Sequence, residues 1–244
     1  MSKIGDYFAS QCGNPHGVIG KIMTWAMNRA NNVMYKGIVD ELKISPKTRI
    51  LDVGFGNGYL ETLIIQKSRC FITGIDISED MVSKAAAANR RYVASGNMKF
   101  QLGDCCDLSF KDKSFDVVTT MNTIYFWSDT AKGMAEISRV LKDGGIFYNA
   151  VISKENLDKY FYTKNGFKKF TKDEYIELGK KAELVFIGVL RVYQHEKSES
   201  SFQQSNKKFH NPLTTCVNHS AMQKYVQQPN VLVKPEILSV LLFA

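Results

Sequence analysis

The segment RILDVGFGNGYLE, Arg49 to Glu61, carries the strongest structural signal in the chain. An apolar run ends at Val53, and Gly54, Gly56 and Gly58 then form a tight turn into a helix. Glycine permits positive φ and lets a ligand approach the backbone closely. The start of the helix also directs free N–H groups towards whatever lies in the turn. The segment therefore predicts a strand–turn–helix unit that binds a ligand.

The glycine spacing separates two classes of ligand. A dinucleotide-binding turn reads G-x-G-x-x-G, but Tyr59 stands here at the third glycine position. The spacing is instead D-x-G-x-G-x-G, counted from Asp52. Without a pyrophosphate to hold, such a turn can accept a zwitterionic amino-acid group, and Asp52 suits its ammonium, directly or through water. A glycine-rich turn with no ligand is the alternative.

Two further acidic residues follow the next predicted strands. Asp76 ends the strand of FITGIDIS and can accept hydrogen bonds from both hydroxyls of a ribose. The alternative is a cap for the following helix, although Ser78 is the better cap. Asp104, in LGDCCDLSF, can accept the exocyclic amine of adenine, with the backbone N–H of Cys105 facing the ring. The alternative for Asp104 is an ordinary turn aspartate.

Short apolar runs alternate with helical segments from Arg49 onward, as in a parallel α/β sheet. The predicted strands are Arg49–Val53, Phe71–Ile75, Met98–Leu102, Phe115–Thr120, Ile146–Ile152 and Leu184–Val192. The predicted helices are Ile19–Leu42, Tyr59–Gln66, Glu79–Ala94, Asp129–Leu141 and Thr171–Ala182. The Gly144-Gly145 pair is expected to end the helix before it.

Taken in order, these acids and glycines, followed by FDVVTTMN and EISRVLKDGG, resemble the motifs of class I S-adenosylmethionine-dependent methyltransferases. The resemblance is closest to the small-molecule, methyltransferase type 11-like branch, and it covers roughly Lys47 to Ile152. It implies a Rossmann-like, mostly parallel sheet sandwiched by helices. It also implies S-adenosylmethionine as the cofactor and direct in-line methyl transfer to a small-molecule acceptor. The residues expected at the cofactor are Asp52, Gly54, Gly56, Gly58, Asp76, Ile77, Asp104, Cys105 and Asn122.

The loop after the fourth strand is expected to lie beside the transferred methyl group. Electron-rich rings attract a sulfonium cation as they attract other cations, so Tyr125, Phe126 or Trp127 can shape the donor and acceptor pocket. Packing under the following helix is the alternative for these rings, and a turn role is the alternative for Asn122. From the N-terminal segment, Tyr7 and His16 are further candidates for the substrate pocket. No catalytic residue is predicted.

Three regions are predicted along the chain: a helical lid over residues 1–44, a cofactor-binding domain over 45–195, and a divergent tail over 196–244. The tail is rich in Ser, Gln and Asn, and only its end is apolar. If the tail lacks the last strand of the sheet, the sheet keeps an exposed edge. A catalytically impaired relative is therefore an alternative to an active enzyme, and an NAD(P)-dependent oxidoreductase is a second, which the glycine spacing disfavours.

Composition limits the class of protein, its compartment and its partners. The 244 residues are 44% hydrophobic and 23% charged, as in a globular protein with a real core. No apolar run is long enough to span a membrane, the first residues lack the apolar region of a secretory signal, and no membrane partner is expected. The five cysteines form no C-x-x-C pair, which favours reduced thiols in the cytoplasm and no metal. The net charge of +8 is interpreted as a lysine-rich surface, without a nucleic-acid motif.

Overall fold

A computed structural model describes residue 32 and residues 34–193 and 236–244 of the chain. These residues build a seven-stranded sheet of order β3-β2-β1-β4-β5-β7-β6. The strands are β1 Arg49–Val53, β2 Phe71–Asp76, β3 Met98–Leu102, β4 Phe115–Met121, β5 Leu141–Val151, β6 Phe186–Tyr193 and β7 Glu236–Phe243. Strands β1 to β5 pair in parallel, and β7 pairs antiparallel with both β5 and β6.

The helices connect the strands and cover both faces of the sheet. They are α1 over residues 34–41, α2 Tyr59–Lys67, α3 Glu79–Ala88, α4 Arg90–Ala94, α5 Thr130–Val140, α6 Lys154–Leu157 and α7 Lys172–Lys181. Side chains cap several of them: the Ser78 side chain accepts from the Met81 N–H, and the Asp129 side chain accepts from the Lys132 N–H. Each such cap satisfies a backbone donor that the first helical turn leaves free.

Two hydrophobic clusters lie on opposite faces of the sheet. Ile64 of α2 and Met34 and Ile38 of α1 pack on one face with Ile50 of β1. On the other face, the apolar stripe of α5 packs with β4, β5 and α7. A mostly parallel sheet needs helices on both faces, because each face carries apolar side chains. The Rossmann-like, mostly parallel fold expected from the sequence is confirmed.

Before the tail, β6 begins at Phe186 rather than Leu184, α6 was not predicted, and two larger differences concern a helix and a strand. The predicted helix Glu79–Ala94 is divided at Asn89 into α3 and α4. Strand β5 begins at Leu141 rather than Ile146, and its register with β4 shifts between Phe115 and Val117. Gly144, with φ of 73°, therefore lies inside an irregular strand instead of ending a helix.

The end of the predicted tail belongs to the sheet. Strand β7 lies between β5 and β6, and the Phe243 ring lies 5.9 Å from the Phe147 ring and 5.8 Å from the Phe186 ring. The edge of β5 is therefore paired, contrary to the expectation of a missing last strand. Local sequence patterns do not predict this pairing, because β6 ends at Tyr193 and β7 begins only at Glu236, too far along the chain for a hairpin pattern.

The predicted lid over residues 1–44 overlaps the described residues only at its end, where α1 and Leu42 belong to the core. Residues 1–31 lie outside the described residues, so the lid stays a prediction. Among the described residues, no helix has the length and apolar character required to cross a membrane.

Candidate functional site

The turn after β1 is built from three glycines in the left-handed region, with φ of 76° at Gly54, 59° at Gly56 and 77° at Gly58. A Cβ at Gly54 would lie 2.4 Å from Cγ2 of Thr123, and a Cβ at Gly58 would lie 2.8 Å from Cβ of Ala85. A Cβ at Gly56 would meet no atom within 4 Å, so this glycine borders open space. The turn is therefore packed at both ends and open to a ligand in its middle.

Asp76, at the end of β2, lies beside this turn. One of its carboxylate oxygens accepts from the Gly56 N–H at 3.0 Å, and the other accepts from the Ser78 N–H at 2.9 Å. Burial raises the pKa of Asp76, and the two N–H groups partly offset that rise. The half-buried carboxylate is thus held at the tip of the strand, as the sequence predicts for a group that receives ribose hydroxyls.

Asp52, at the end of β1, is only 2% exposed. Its carboxylate accepts a hydrogen bond from the Thr119 hydroxyl of β4 at 2.5 Å. Burial raises the pKa of Asp52, although the neighbouring Glu61 and Thr119 side chains work against that rise. The predicted ammonium partner is therefore a buried group that belongs to a small polar cluster.

Glu61 is the residue that sequence reasoning missed. It is fully buried, and neither of its carboxyl oxygens meets the geometric criteria for a hydrogen bond to a described residue. Burial first, and the charge of Asp52 second, raise the pKa of Glu61 well above its ordinary value. The proton shared by this carboxyl pair is therefore held preferentially by Glu61.

A sequence signal for Glu61 does exist. The buried residues of α2 are Leu60, Glu61, Ile64 and Ile65, so the glutamate falls within the apolar stripe of the helix. A carboxyl group at such a position is almost never fully buried without a partner. The neighbouring group that interacts with the buried Glu61 carboxyl is Asp52, nine residues earlier.

Asp104, after β3, is exposed and forms a turn in which its side chain accepts from the Cys106 N–H at 2.9 Å. The Cys105 and Cys106 thiols are buried, and their sulfur atoms lie 3.8 Å apart. Burial raises the pKa of the Cys105 thiol, so it stays protonated. Asp104, Cys105 and Cys106 form the only grouping of potential metal ligands found among the described residues.

Ile77 and Leu102 expose apolar side chains next to Asp76. They are 64% and 52% exposed, and Leu102 pairs with Asp76 in the β2–β3 register. Exposed aliphatic groups at adjacent strand ends offer a flat apolar surface on which an aromatic ring can lie. Ile77 was expected from the sequence, whereas Leu102 was not.

The loop after β4 starts with a strained residue. Asn122 has φ of 57°, which is uncommon outside glycine and costs conformational energy. Its side chain accepts from the Tyr125 hydroxyl at 3.2 Å, and that hydroxyl in turn accepts from the Ile152 N–H at 2.5 Å. The loop is thereby fixed to the end of β5.

The aromatic rings of this loop differ in exposure. Tyr125 is 2% exposed and Trp127 is 6% exposed, and the Trp127 indole donates to the Thr123 hydroxyl at 3.2 Å. Phe126 is half-buried. Tyr125 and Trp127 thus shape the loop from within, and their predicted place in a substrate pocket stays a prediction. Tyr7 and His16 lie outside the described residues.

The site residues come together at one edge of the sheet. Asp52 is the second-last residue of β1 and Asp76 is the last residue of β2, whereas Asp104 comes two residues after β3; these three strands are adjacent and parallel. Asn122 follows β4, on the other side of β1. In open α/β sheets, ligands bind outside this carboxyl edge. A separate cavity of about 300 Å³ lies at the opposite edge, beside Thr48, Val117 and Ile146. None of the predicted residues lines that cavity.

Comparison with known proteins agrees with this geometry. A family model described as a methyltransferase domain matches residues 51–149. The ubiquinone/menaquinone biosynthesis C-methyltransferase UbiE of Geotalea daltonii is 40% identical over 111 residues, which cover 44% of this chain and 46% of that protein. The uncharacterized methyltransferase YdaC of Bacillus subtilis is 30% identical over 125 residues, which cover 51% of this chain and 67% of that protein.

Solved structures show the same architecture. A chain in the complex of the Haloferax volcanii Trm112 methyltransferase activator superposes with a TM-score of 0.62 and 26% identity, over 72% of this chain and 80% of that chain. The matched segment spans less than half of the Geotalea protein. The family model covers most of β1 to β5, together with Asp52, Asp76 and Asp104.

Proposed function

The chain belongs to the class I S-adenosylmethionine-dependent methyltransferases, and from this premise we propose that it transfers a methyl group from S-adenosylmethionine to a small-molecule acceptor. The observation that carries the proposal is the glycine turn, whose open middle at Gly56 lies directly beside the Asp76 carboxylate. A nucleoside with an attached amino acid requires such an arrangement, since it presents ribose hydroxyls and a charged amino-acid group a short distance apart.

The residues present fit this cofactor. Asp76 would receive the ribose hydroxyls, and a charged acceptor binds hydroxyls more strongly than a neutral one. Ile77 and Leu102 would border the adenine, and the Asp104 turn would meet its exocyclic amine. The amino-acid end would lie over the glycine turn, where the N–H groups at the start of α2 suit a carboxylate.

The Asp52–Glu61 pair would serve the ammonium end. Because Glu61 keeps the proton, Asp52 remains the ionised member, and Thr119 holds its carboxylate in place. One buried negative charge opposite one ammonium is a balanced pair, whereas two carboxylates would repel each other without a cation. Glu61 is therefore a positioning residue that acts through Asp52.

The chain's own contribution to the reaction is alignment and exclusion of water. The bound cofactor supplies a methyl group that its positive sulfur already activates, so the proposal requires no catalytic base. The loop from Asn122 to Trp127 is fixed to the end of β5 by the Tyr125 hydroxyl and to the end of β1 by Thr123, whose hydroxyl donates to the Val53 carbonyl. A rigid loop at this place can hold an acceptor in line with the methyl group.

A small-molecule acceptor is supported by the relatives. UbiE is named for methylation in ubiquinone and menaquinone biosynthesis, which is the modification of a small molecule at carbon. The sequence lacks an Asn-Pro-Pro-Tyr segment after β4, which base-methylating enzymes often carry. The alternative of an impaired relative loses its motivation, because β7 completes the sheet.

Calorimetric titration with S-adenosylmethionine tests the cofactor assignment. The Asp76→Ala variant should bind at least about 10-fold more weakly than the unmodified chain, since the ribose hydroxyls lose a charged acceptor. Asp143→Ala is the matched control, because Asp143 is an exposed acid whose side chain pairs with Lys113 at 2.7 Å. Equal affinity in the Asp76 variant would contradict the assignment. A larger rise in melting temperature with NADH than with S-adenosylmethionine would favour an oxidoreductase.

Release of S-adenosylhomocysteine across a panel of acceptors tests the reaction itself. Quinols and other small apolar acceptors should stimulate release, and transfer RNA should not. Stimulation by RNA alone would overturn the small-molecule part of the proposal while leaving the cofactor assignment intact.

A further inference from the structure

Residues 159–172, KYFYTKNGFKKFTK, form a basic–aromatic segment that the methyl-transfer proposal does not use. The segment contains five lysines, five aromatic residues and no acidic residue. It connects the end of α6 to the start of α7. Its composition therefore combines positive charge with large apolar rings on one connection.

The first half of this segment presents its rings to solvent. Phe161 is 62% exposed and Tyr160 is 46% exposed. The Tyr160 and Tyr162 rings stack with centroids 5.4 Å apart, and Phe161 meets Tyr162 edge-on at 5.6 Å. The exposed rings of Tyr160 and Phe161 and the half-buried ring of Tyr162 thus form one aromatic patch rather than isolated side chains.

Few lysines of the segment are paired with a carboxylate. Lys169 pairs with Asp158 at 2.7 Å. The Lys168 ammonium donates to the carbonyls of Trp127 and Ser128, which do not neutralise it. Among the residues that the structure describes, no carboxylate forms an ion pair with Lys159, Lys164, Lys168 or Lys172. The aromatic patch is therefore bordered by uncompensated positive charge.

We propose that the basic–aromatic segment is a docking surface for an anionic lipid bilayer. Tyrosine and phenylalanine side chains insert at the boundary between headgroups and acyl chains, and lysines beside them are attracted to anionic headgroups. Neither contribution alone holds a protein at a membrane firmly, but the two together can. The proposal concerns surface contact and needs no membrane-spanning helix.

The geometry favours a bilayer over single-stranded RNA. RNA bases need free aromatic faces for stacking. Here Tyr160 and Tyr162 stack on each other, so one face of each ring is already occupied and the two rings act as one apolar surface.

The segment also connects the surface to the loop after β4. Phe167 lies 4.7 Å from the Phe126 ring and 5.7 Å from the Tyr125 ring. Lys168 fixes the same loop through two backbone carbonyls. Apolar side chains therefore continue from the exposed patch to the region assigned to the acceptor. A bilayer at this surface would present apolar acceptors next to that region, a consequence that rests on the proposed function.

Co-sedimentation of the full chain with vesicles tests the proposal. Vesicles of about 70% phosphatidylcholine and about 30% phosphatidylserine should retain the chain, and phosphatidylcholine alone should retain much less. Phe161→Ser and Lys164→Glu should each lower the retained fraction by about 3-fold or more. Val185→Ser is the matched control, because Val185 is 67% exposed and lies outside the segment, and it should bind like the unmodified chain.

Several outcomes would overturn the proposal: no retention on phosphatidylserine vesicles, equal loss in the Val185→Ser control, or unchanged retention in both segment variants. Binding of a single-stranded RNA probe with no retention on vesicles would reassign the surface to nucleic acid. Melting curves and S-adenosylmethionine affinity should be the same for all variants. A failure of vesicle binding is thereby distinguishable from a failure of cofactor binding or of folding.

Discussion

Two regions of the sheet are built on different principles. Around β1 and β2, the structure depends on backbone conformation and carboxyl groups: three glycines with positive φ and the acids Asp52, Glu61 and Asp76. Around β4, β5 and β7, it depends on aromatic packing, with Phe126 against Phe167 and Phe147 against Phe243. Under the proposed function, the first region would bind the cofactor and the second would border the acceptor.

This difference explains why a single substitution should act differently in the two regions. A glycine turn tolerates almost no change, because an added Cβ strains the backbone and meets a fixed neighbour. An aromatic cluster loses packing energy in proportion to the volume removed. The comparison can be tested by four substitutions, in order of decreasing expected effect.

Phe243→Ala should have the largest effect. Phe243 is fully buried between Phe147, Phe186 and Gly179, so its removal leaves a cavity in the core. We expect a loss of about 3–5 kcal/mol in the free energy of unfolding, measured by urea denaturation. Phe161→Ala, at an exposed ring, is the control and should cost far less. Similar losses at both positions would mean that β7 does not close the core.

Gly54→Ala should come next, and it should affect the cofactor region alone. The new Cβ would be strained at positive φ and would lie 2.4 Å from Cγ2 of Thr123. Left-handed strain of about 1–2 kcal/mol and overpacking of about 1–3 kcal/mol together predict a loss near 3 kcal/mol. Gly56→Ala has the same type of φ but open space, so only the strain should remain. Equal losses in denaturant melts of the two variants would disprove the role of Thr123.

Glu61→Gln should change how stability depends on pH. The folded-state pKa of Glu61 is raised, so the native state binds more protons than the unfolded state above the ordinary value of 4.5. Stability from this group is therefore complete below that value and is lost as pH rises, by up to about 1.4 kcal/mol per pH unit. Glutamine keeps the neutral form at every pH and removes this slope. Urea melts at pH 5 and pH 8 should show the variant gaining on the unmodified chain at the higher pH; parallel curves would refute a neutral Glu61.

Asp116→Asn should have the smallest effect, at the amino edge of the sheet. Burial tends to raise the pKa of Asp116, but its hydrogen bonds with Lys142 and the Arg49 N–H lower it overall. Its stabilisation is therefore present above its ordinary pKa and is lost as pH falls. Since both partners of the ion pair are more than one-third exposed, we expect at most about 1 kcal/mol. Thermal melts at pH 7 and pH 3 should differ less in the variant than in the unmodified chain.

Much of the cofactor region follows from local sequence. Apolar runs separated by turns predict β1 to β4 nearly to the residue, and the spacing of Asp52, Gly54, Gly56 and Gly58 predicts the ligand-binding turn. The helices α3 and α5 begin after Ser78 and Asp129, whose side chains accept hydrogen bonds from backbone N–H groups of the first turn. The specific contacts predicted for the cofactor residues remain predictions.

The remainder depends on contacts that sequence patterns do not contain. Strand β7 joins a sheet whose other strands end more than forty residues earlier, and no local period encodes that pairing. The left-handed backbone of Asn122 is imposed by its anchors on β5. The role of Glu61 depends on Asp52 across the strand–helix turn, and a helical pattern alone presents it as one polar residue in an apolar stripe.

The position of β7 also has a consequence for biosynthesis. Strands β5 and β6 touch each other only through β7, which is the last of the described strands to leave the ribosome. Until that moment the nascent chain exposes two unpaired strand borders, an arrangement prone to association with neighbouring chains. The time for which these borders stay unpaired therefore depends on how fast the segment before β7 is translated. A chaperone would have to cover the borders for that time.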